Sequence, residues 1–323
     1  MNRRRAIAAM LSSLALIAGP AVADSYPSRT VTLIVPYSPG GLPDTVARLV
    51  GQKLSERWGQ SVVIENKPGS NGVIAYQALA AKPADGYTLV VTDNSMFNIN
   101  PYIYPNLPYD AERDFTHLSL VARAPLFLAM NPSMPMNDFG DFVRLVKANP
   151  GKYSYGSSGI GSIMHLCFET IRSTLGLDIV HVPYKGTGQA IPALVGNQVI
   201  AVWSAIPSIA GFAKEGKVRL IAVNSSKRSE LAPQVATIAE THIPGFDFAP
   251  IIGISGMAGI PAGVVQKVGA DVAEVLKDAA FVERLAVLGI EPVGGDGRAY
   301  AAQIAADRER FQRAAKISGA TAN

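Results

Sequence analysis

The chain has 323 residues, 48% of them apolar, with 29 basic residues against 25 acidic ones, which is enough sequence to build two hydrophobic cores. Arg3, Arg4 and Arg5 supply most of the excess positive charge, and without them 26 basic residues face 25 acidic ones, a balance that argues against a nucleic-acid partner. A single cysteine, Cys167, excludes an internal disulfide, and its neighbours Met164, Leu166, Phe168 and Ile171 mark it as a small core residue rather than a reactive thiol.

The three arginines, an apolar stretch over residues 6–18 and the small-residue run Ala21-Val22-Ala23 predict a signal peptide over 1–23. Cleavage after Ala23 would start the mature chain at Asp24, in the periplasm. The apolar stretch is shorter than the roughly 20 residues of a membrane span, and no later segment is longer, so the mature chain is expected to be soluble. No cysteine sits near the cleavage site to take a lipid, and the arginine run leaves the general and twin-arginine export routes both open.

The β-branched run 31–35 predicts a first strand, followed by Pro36 and a glycine-rich turn. Val46, Ala47, Val50, Leu54 and Trp58 then recur at helical spacing, so residues 44–58 read as an amphipathic helix. A second strand is expected at 62–64, the turn residues 66–72 lead into a helix through 81, and Asp85-Gly86 precedes a strand at 87–92. This alternation predicts an α/β fold with parallel strands and helices on their faces.

Between residues 100 and 109 the pattern lapses into proline and tyrosine. Strands are expected at 118–121 and 126–130, with the passage into a second domain between them. Alternation restarts with a helix at 138–148, a strand at 153–156, a second glycine turn and a helix at 162–175. Further strands are expected at 179–183, 199–203 and 220–223, and a return strand at 251–254. Three helices begin near Pro261, Phe281 and Arg298; proline suits a first helical turn. Lobe I would comprise 24–123 and 246–323, and lobe II 124–245. The two crossings would form a hinge near 119–126 and 248–255, on which such lobes close.

In open α/β sheets ligands sit where strands run into helices, and a helix N-terminus offers unpaired N–H groups and a positive dipole end to anions. Both glycine turns stand at such places, one per lobe. In the first, Gly40 and Gly41 let a ligand approach the backbone, Tyr37 and Ser38 offer hydroxyls, and Pro43 removes one donor. In the second, Ser157, Ser158 and Ser162 surround Gly159 and Gly161 with neutral donors. Either turn alone is compatible with a plain strand-to-helix connection; two in matched positions point to a clamp for an anion. Neither carries the lysine of a phosphate loop, and the first lacks dinucleotide spacing. The histidines, His117, His165, His181 and His242, have no metal-ligand spacing and no nucleophile elbow accompanies a serine. No catalytic residue, metal or cofactor is therefore predicted. His165 is placed either at the cleft or in packing, and His117 and His242 read as surface or loop residues.

Taken in order, Tyr37-Ser-Pro-Gly-Gly-Leu-Pro-Asp44, Glu65-Asn-Lys-Pro-Gly69, Asp85-Gly-Tyr-Thr-Leu89, Leu107-Pro-Tyr-Asp110, Gly156-Ser-Ser-Gly-Ile-Gly-Ser162, Val182-Pro-Tyr-Lys-Gly186, Ala222-Val-Asn-Ser-Ser-Lys-Arg228 and Leu288-Gly-Ile-Glu-Pro-Val293 resemble the Bug-type (TctC-like) family of periplasmic solute-binding proteins. These are receptors of tripartite tricarboxylate transporters, and the resemblance spans essentially all of the mature chain. It implies a two-lobed periplasmic binding protein fold (type II-like), a mixed sheet flanked by helices in each lobe, joined by two crossover strands. It implies a monomer that captures a small carboxylate for membrane permease subunits. The ligand-binding role falls on Tyr37, Ser38, Pro39, Gly40, Gly41 and Leu42 in the first turn and on Ser157, Ser158, Gly159, Gly161, Ser162 and His165 in the second. Asp93, Asn94, Tyr184, Gly186, Thr187, Trp203, Ser204 and Ala205 would line the rest. Ile200 and Ser204 stand where the family often carries acids, which argues against an amino acid ligand. Trp203 is either core or, facing the cleft, a platform for an aromatic dicarboxylate such as a phthalate-type acid. The same fold delivering its signal to a sensor protein is the alternative reading, and a periplasmic hydrolase or isomerase is a third.

Overall fold

The computed structural model describes residues 26–322, and the predicted signal peptide with its cleavage site lies outside them. Strand β1 (Val31–Val35) is almost wholly buried, as a β-branched run flanked on both sides must be. It pairs in parallel with β2 (Val62–Asn66) and β3 (Thr88–Asp93), and α1 (Leu42–Trp58) and α2 (Val73–Ala80) make the connections. Helix α1 carries a proline in its first turn and stops at Gly59 in the left-handed conformation. Two short helices that the sequence pattern did not predict follow, α3 (Ser95–Asn98) and, at the start of the proline- and tyrosine-rich region, α4 (Asn100–Ile103). Then β4 (Phe115–Arg123) leads directly to β5 (Phe127–Met130).

The following stretch comprises α5 (Phe139–Ala148), β6 (Ser154–Ser157), α6 (Ile163–Leu175), β7 (Val180–Pro183), α7 (Thr187–Val195), β8 (Ala201–Ser204), α8 (Ile206–Lys214), β9 (Arg219–Val223) and α9 (Ile238–Thr241). The chain finishes with β10 (Ile251–Met257), α10 (Ala262–Val275), α11 (Ala279–Ala286), β11 (Glu291–Asp296) and α12 (Gly297–Ser318). Two sheets result, with strand orders β11-β4-β10-β3-β1-β2 and β7-β6-β8-β5-β9. Parallel pairing is limited to β1 with β2 and β3, and β6 with β7 and β8. Strands β10 and β5 run antiparallel to both of their neighbours, so each sheet is mixed. Strand β11, unpredicted, pairs with β4 across a register shift between Pro292 and Gly295.

The chain passes between the sheets twice, from β4 to β5 and from β9 to β10. Asn224 stitches the two passages together. Its Oδ1 accepts from Leu126 N at 2.7 Å and its Nδ2 donates to Phe248 O at 2.8 Å, while its own backbone bonds to both of those residues. Helix α12, which follows β11 of the first sheet, reaches back to pack against α6 of the second.

Two histidines differ from their sequence reading. His117 lies within β4, its ring packed edge-on between Phe97 and Tyr300 with Nδ1 2.9 Å from Ser255 Oγ; burial pushes its pKa down to about 4. His242 ends α9 with its ring edge-on to Phe139. Both are half-buried packing residues. Cys167 is fully buried, as its neighbours imply.

Candidate ligand-binding cleft

The turn between β1 and α1 is shaped by Asp44. Burial raises the Asp44 pKa, but Arg48, the Gly40 amide and Asn66 outweigh it and hold the carboxyl below its ordinary value. The Gly40 N–H donates to Asp44 Oδ2 at 2.9 Å, and Asn66 Nδ2 bridges Asp44 Oδ1 and Tyr37 O. The Gly40 amide is thus committed within the turn. Gly41 is the N-cap of α1 and supplies no side-chain cap.

In the second turn the donors are also committed. Gly159 N donates to Ser157 Oγ, which lies 2.7 Å from His181 Nε2, and Gly161 N donates to His165 Nδ1 at 3.1 Å. Ser162 caps α6, its Oγ accepting from His165 N. A side chain at Gly161 would be strained: its φ is +75° and a Cβ would lie 1.9 Å from Ile103 Cδ1, which would have to move.

A cavity between the two sheets is lined by Tyr37, Gly41, Leu42, Pro43, Asp93, Leu126, Ser158, Ile163, Met164, Gly186, Thr187, Ala205, Ser208 and Pro250. About 440 Å³ of empty space lies here, solvent at its mouth included. Three helices begin at this cavity without a side-chain cap: α1 after Gly41, α7 after Gly186 and α8 after Ala205. Among the described residues, the first amides of these helices, at Leu42, Thr187 and Ile206, donate to nothing. Three uncapped positive helix ends around one cavity form an anion site made from the backbone. No lysine, arginine or histidine lines it.

The predicted site residues divide accordingly. Tyr37, Gly41, Leu42, Asp93, Ser158, Gly186, Thr187 and Ala205 line the cavity. Ser38 and Gly40 instead join the jaws: Ser38 Oγ donates to Lys185 O at 3.1 Å, and Gly40 O accepts from Ser208 Oγ at 2.8 Å. Pro39 abuts Gly188 across the same seam. Ser157, Gly159, Gly161, Ser162 and His165 build the second turn from behind, with the His165 and His181 rings stacked at 4.0 Å. Asn94 and Ser204 are fully buried, and Tyr184 faces a neighbouring surface groove. Trp203 is core: it is 0% exposed on β8, packs edge-on against Phe168, and its Nε1 has no partner among the described residues. The second jaw of the anion site is therefore α7 and α8 rather than α6, whose capped end contributes the apolar Ile163 and Met164.

Sequence reasoning also missed Leu126, Pro250 and Ser208. The available signal for α8 was Pro207, which fits a first helical turn. The jaws are shut. Besides the Ser38 and Ser208 bonds, Asn71 Nδ2 donates to Gly161 O at 2.9 Å, and Asn71 holds a left-handed backbone with φ of 46°.

Two helix-flanked sheets joined by paired crossings, with a cavity between them, define a two-lobed solute-binding receptor fold. The chain belongs to the tripartite tricarboxylate transporter receptor family: the family model described as "Tripartite tricarboxylate transporter family receptor" matches residues 46–319. It is similar to the protein BugT of Bordetella pertussis (strain Tohama I), at 33% identity over 294 residues, covering 91% of this chain and 90% of BugT. Among solved structures it is similar to R. palustris Rpa4515 with adipate, with a TM-score of 0.88, 33% identity, and coverage of 91% of this chain and 98% of that one. It is also similar to MatC (Rpa3494) from Rhodopseudomonas palustris with bound malate, with a TM-score of 0.84, 30% identity, and coverage of 90% and 100%. The chain is a receptor and not an enzyme. Among the described residues no helix is long and apolar enough to cross a membrane, and no group of His, Cys, Asp or Glu could hold a metal ion.

Proposed function

We propose that the mature protein is a periplasmic monomer that traps a small di- or tricarboxylate between its lobes and presents it to the permease subunits of a tripartite tricarboxylate transporter. The lobes would be residues 24–123 with 246–323, and 124–245, turning on 119–126 and 248–255. The observation that carries the ligand class is the convergence of the uncapped ends of α1, α7 and α8 on a cavity without cationic side chains. Such a site neutralises carboxylates through backbone N–H groups, and each charge-assisted bond contributes roughly 1.5–3 kcal/mol. Similar receptors with adipate and malate support an aliphatic acid. The case for an aromatic acid depended on Trp203 and loses its basis once that ring is core.

The test is isothermal titration of the purified protein with a panel of aliphatic mono-, di- and tricarboxylates, amino acids and sugars. At least one di- or tricarboxylate should bind. Ser158→Ala should weaken it by about tenfold, the loss of roughly 1.4 kcal/mol, because the Ser158 side chain lines the cavity and has no hydrogen bond within the described residues. Binding only of amino acids or sugars would overturn the proposal.

A further inference from the structure

Among the described residues, Asp93 is the one charged side chain lining a cavity otherwise suited to anions. It stands at the end of β3, facing the space onto which the three helix N-termini open. Its Oδ1 accepts from Ser95 N at 2.9 Å and from Tyr37 Oη at 3.1 Å. Its Oδ2 accepts no bond of ordinary length among the described residues, the Ser95 hydroxyl also stands beside the carboxyl, and the residue is half-buried in the cavity wall. A ligand carboxylate entering here meets a second carboxylate beside the buried Tyr37 and Tyr300 rings, where like charges repel more strongly than in open water. Two carboxyl groups in such proximity are held together by a shared proton.

We infer that Asp93 is protonated on Oδ2 in the complex, so that the site takes up a carboxylate together with one proton and Asp93 donates a hydrogen bond to the ligand. The inference rests on the carboxylate reading above. Its surroundings support it. Burial dominates and raises the Asp93 pKa, while the bonds from Ser95 and Tyr37 lower it. The groups facing it are the Tyr37 hydroxyl from the end of β1, the amide and hydroxyl of Ser95 in α3 and, from α12, Tyr300, whose phenol is pushed up by burial and by the Asp93 charge. Among the described residues no cation on these elements or in the cavity lining neutralises it. The Asn94 amide, next in the chain, is spent on Asp307 instead.

Titration calorimetry with adipate and with malate, run at pH 7 in buffers of different ionisation heat, reads proton uptake directly. The parent should take up between half a proton and one proton per ligand bound. Its affinity should fall about tenfold per pH unit between pH 7 and 8, as linkage to one proton requires. Asp93→Asn, which carries a permanent donor, should take up none and should bind more tightly than the parent at pH 8 by about tenfold. Thermal melts of both proteins check that the fold persists. Binding without proton uptake, or an Asn variant that binds more weakly, would overturn the inference; the second outcome would mark Asp93 as an ionised acceptor for a ligand hydroxyl or ammonium group. If the parent binds no carboxylate at all, the carboxylate reading falls and this inference with it.

Discussion

Gly188 decides whether the jaws can meet. It sits in the first turn of α7 with ordinary helical geometry, and a Cβ there would lie 2.8 Å from Pro39 O on the opposite jaw. In an open protein alanine fits at this exposed helical position and is favoured over glycine by about 1 kcal/mol. In the closed protein it collides with a backbone carbonyl. Gly188→Ala should therefore leave the melting temperature of the ligand-free protein unchanged or raised while weakening ligand binding by at least tenfold. Calorimetry and thermal melts on the same sample check both halves, and unimpaired binding would show that closure does not bring Pro39 against α7.

The turn that carries α6 depends on two neutral imidazoles. Burial holds the pKa of His165 down to about 4 and that of His181 to about 3. His165 must also be neutral at Nδ1 to accept from Gly161 N. In the unfolded chain both titrate near 6.5. As pH falls below about 6.5 the unfolded state binds protons first, so stability declines from there towards pH 4. Melting temperatures between pH 7 and 4 should fall, and less steeply in His181→Gln; equal slopes would contradict the role of burial. At this scale the sequence was readable where local chemistry and tertiary role agree. Strands β1 and β3 are apolar, β-branched runs because they are buried on both faces, and α1 shows its amphipathic spacing. Strand β11 was not readable, because an edge strand with Pro292, Gly294 and Gly295 and mostly exposed side chains has no alternation and a single β-branched residue, Val293. The uncapped starts of α7 and α8 were hidden for a related reason. A helix end that keeps its N–H groups for a ligand lacks the Ser, Thr, Asn or Asp cap that announces a helix, whereas Ser162, prominent in the sequence, is spent on capping α6.

At the scale of the molecule, the two passages between sheets are tied by the buried side chain of Asn224 and by the Arg123–Asp247 ion pair, and the cleft is bridged among the described residues by three side-chain hydrogen bonds from Ser38, Asn71 and Ser208. Asn224→Ala would leave Leu126 N and Phe248 O without their side-chain partner, a loss of about 2–4 kcal/mol at the usual cost of buried unpaired groups. Chemical denaturation should show that loss. A variant as stable as the parent would mean that the hinge is held elsewhere. Solution scattering should report compaction of the protein on saturation with its ligand, and unchanged dimensions would contradict closure of the lobes. The central claim is that a carboxylate is held by backbone amides at the starts of α1, α7 and α8. The most direct measurement is a crystal structure with the tightest-binding acid of the panel. Carboxylate oxygens within hydrogen-bonding distance of the Leu42, Thr187 or Ile206 amides would bear the account out, and a ligand seated outside this cavity, or held by lysine and arginine side chains instead, would contradict it.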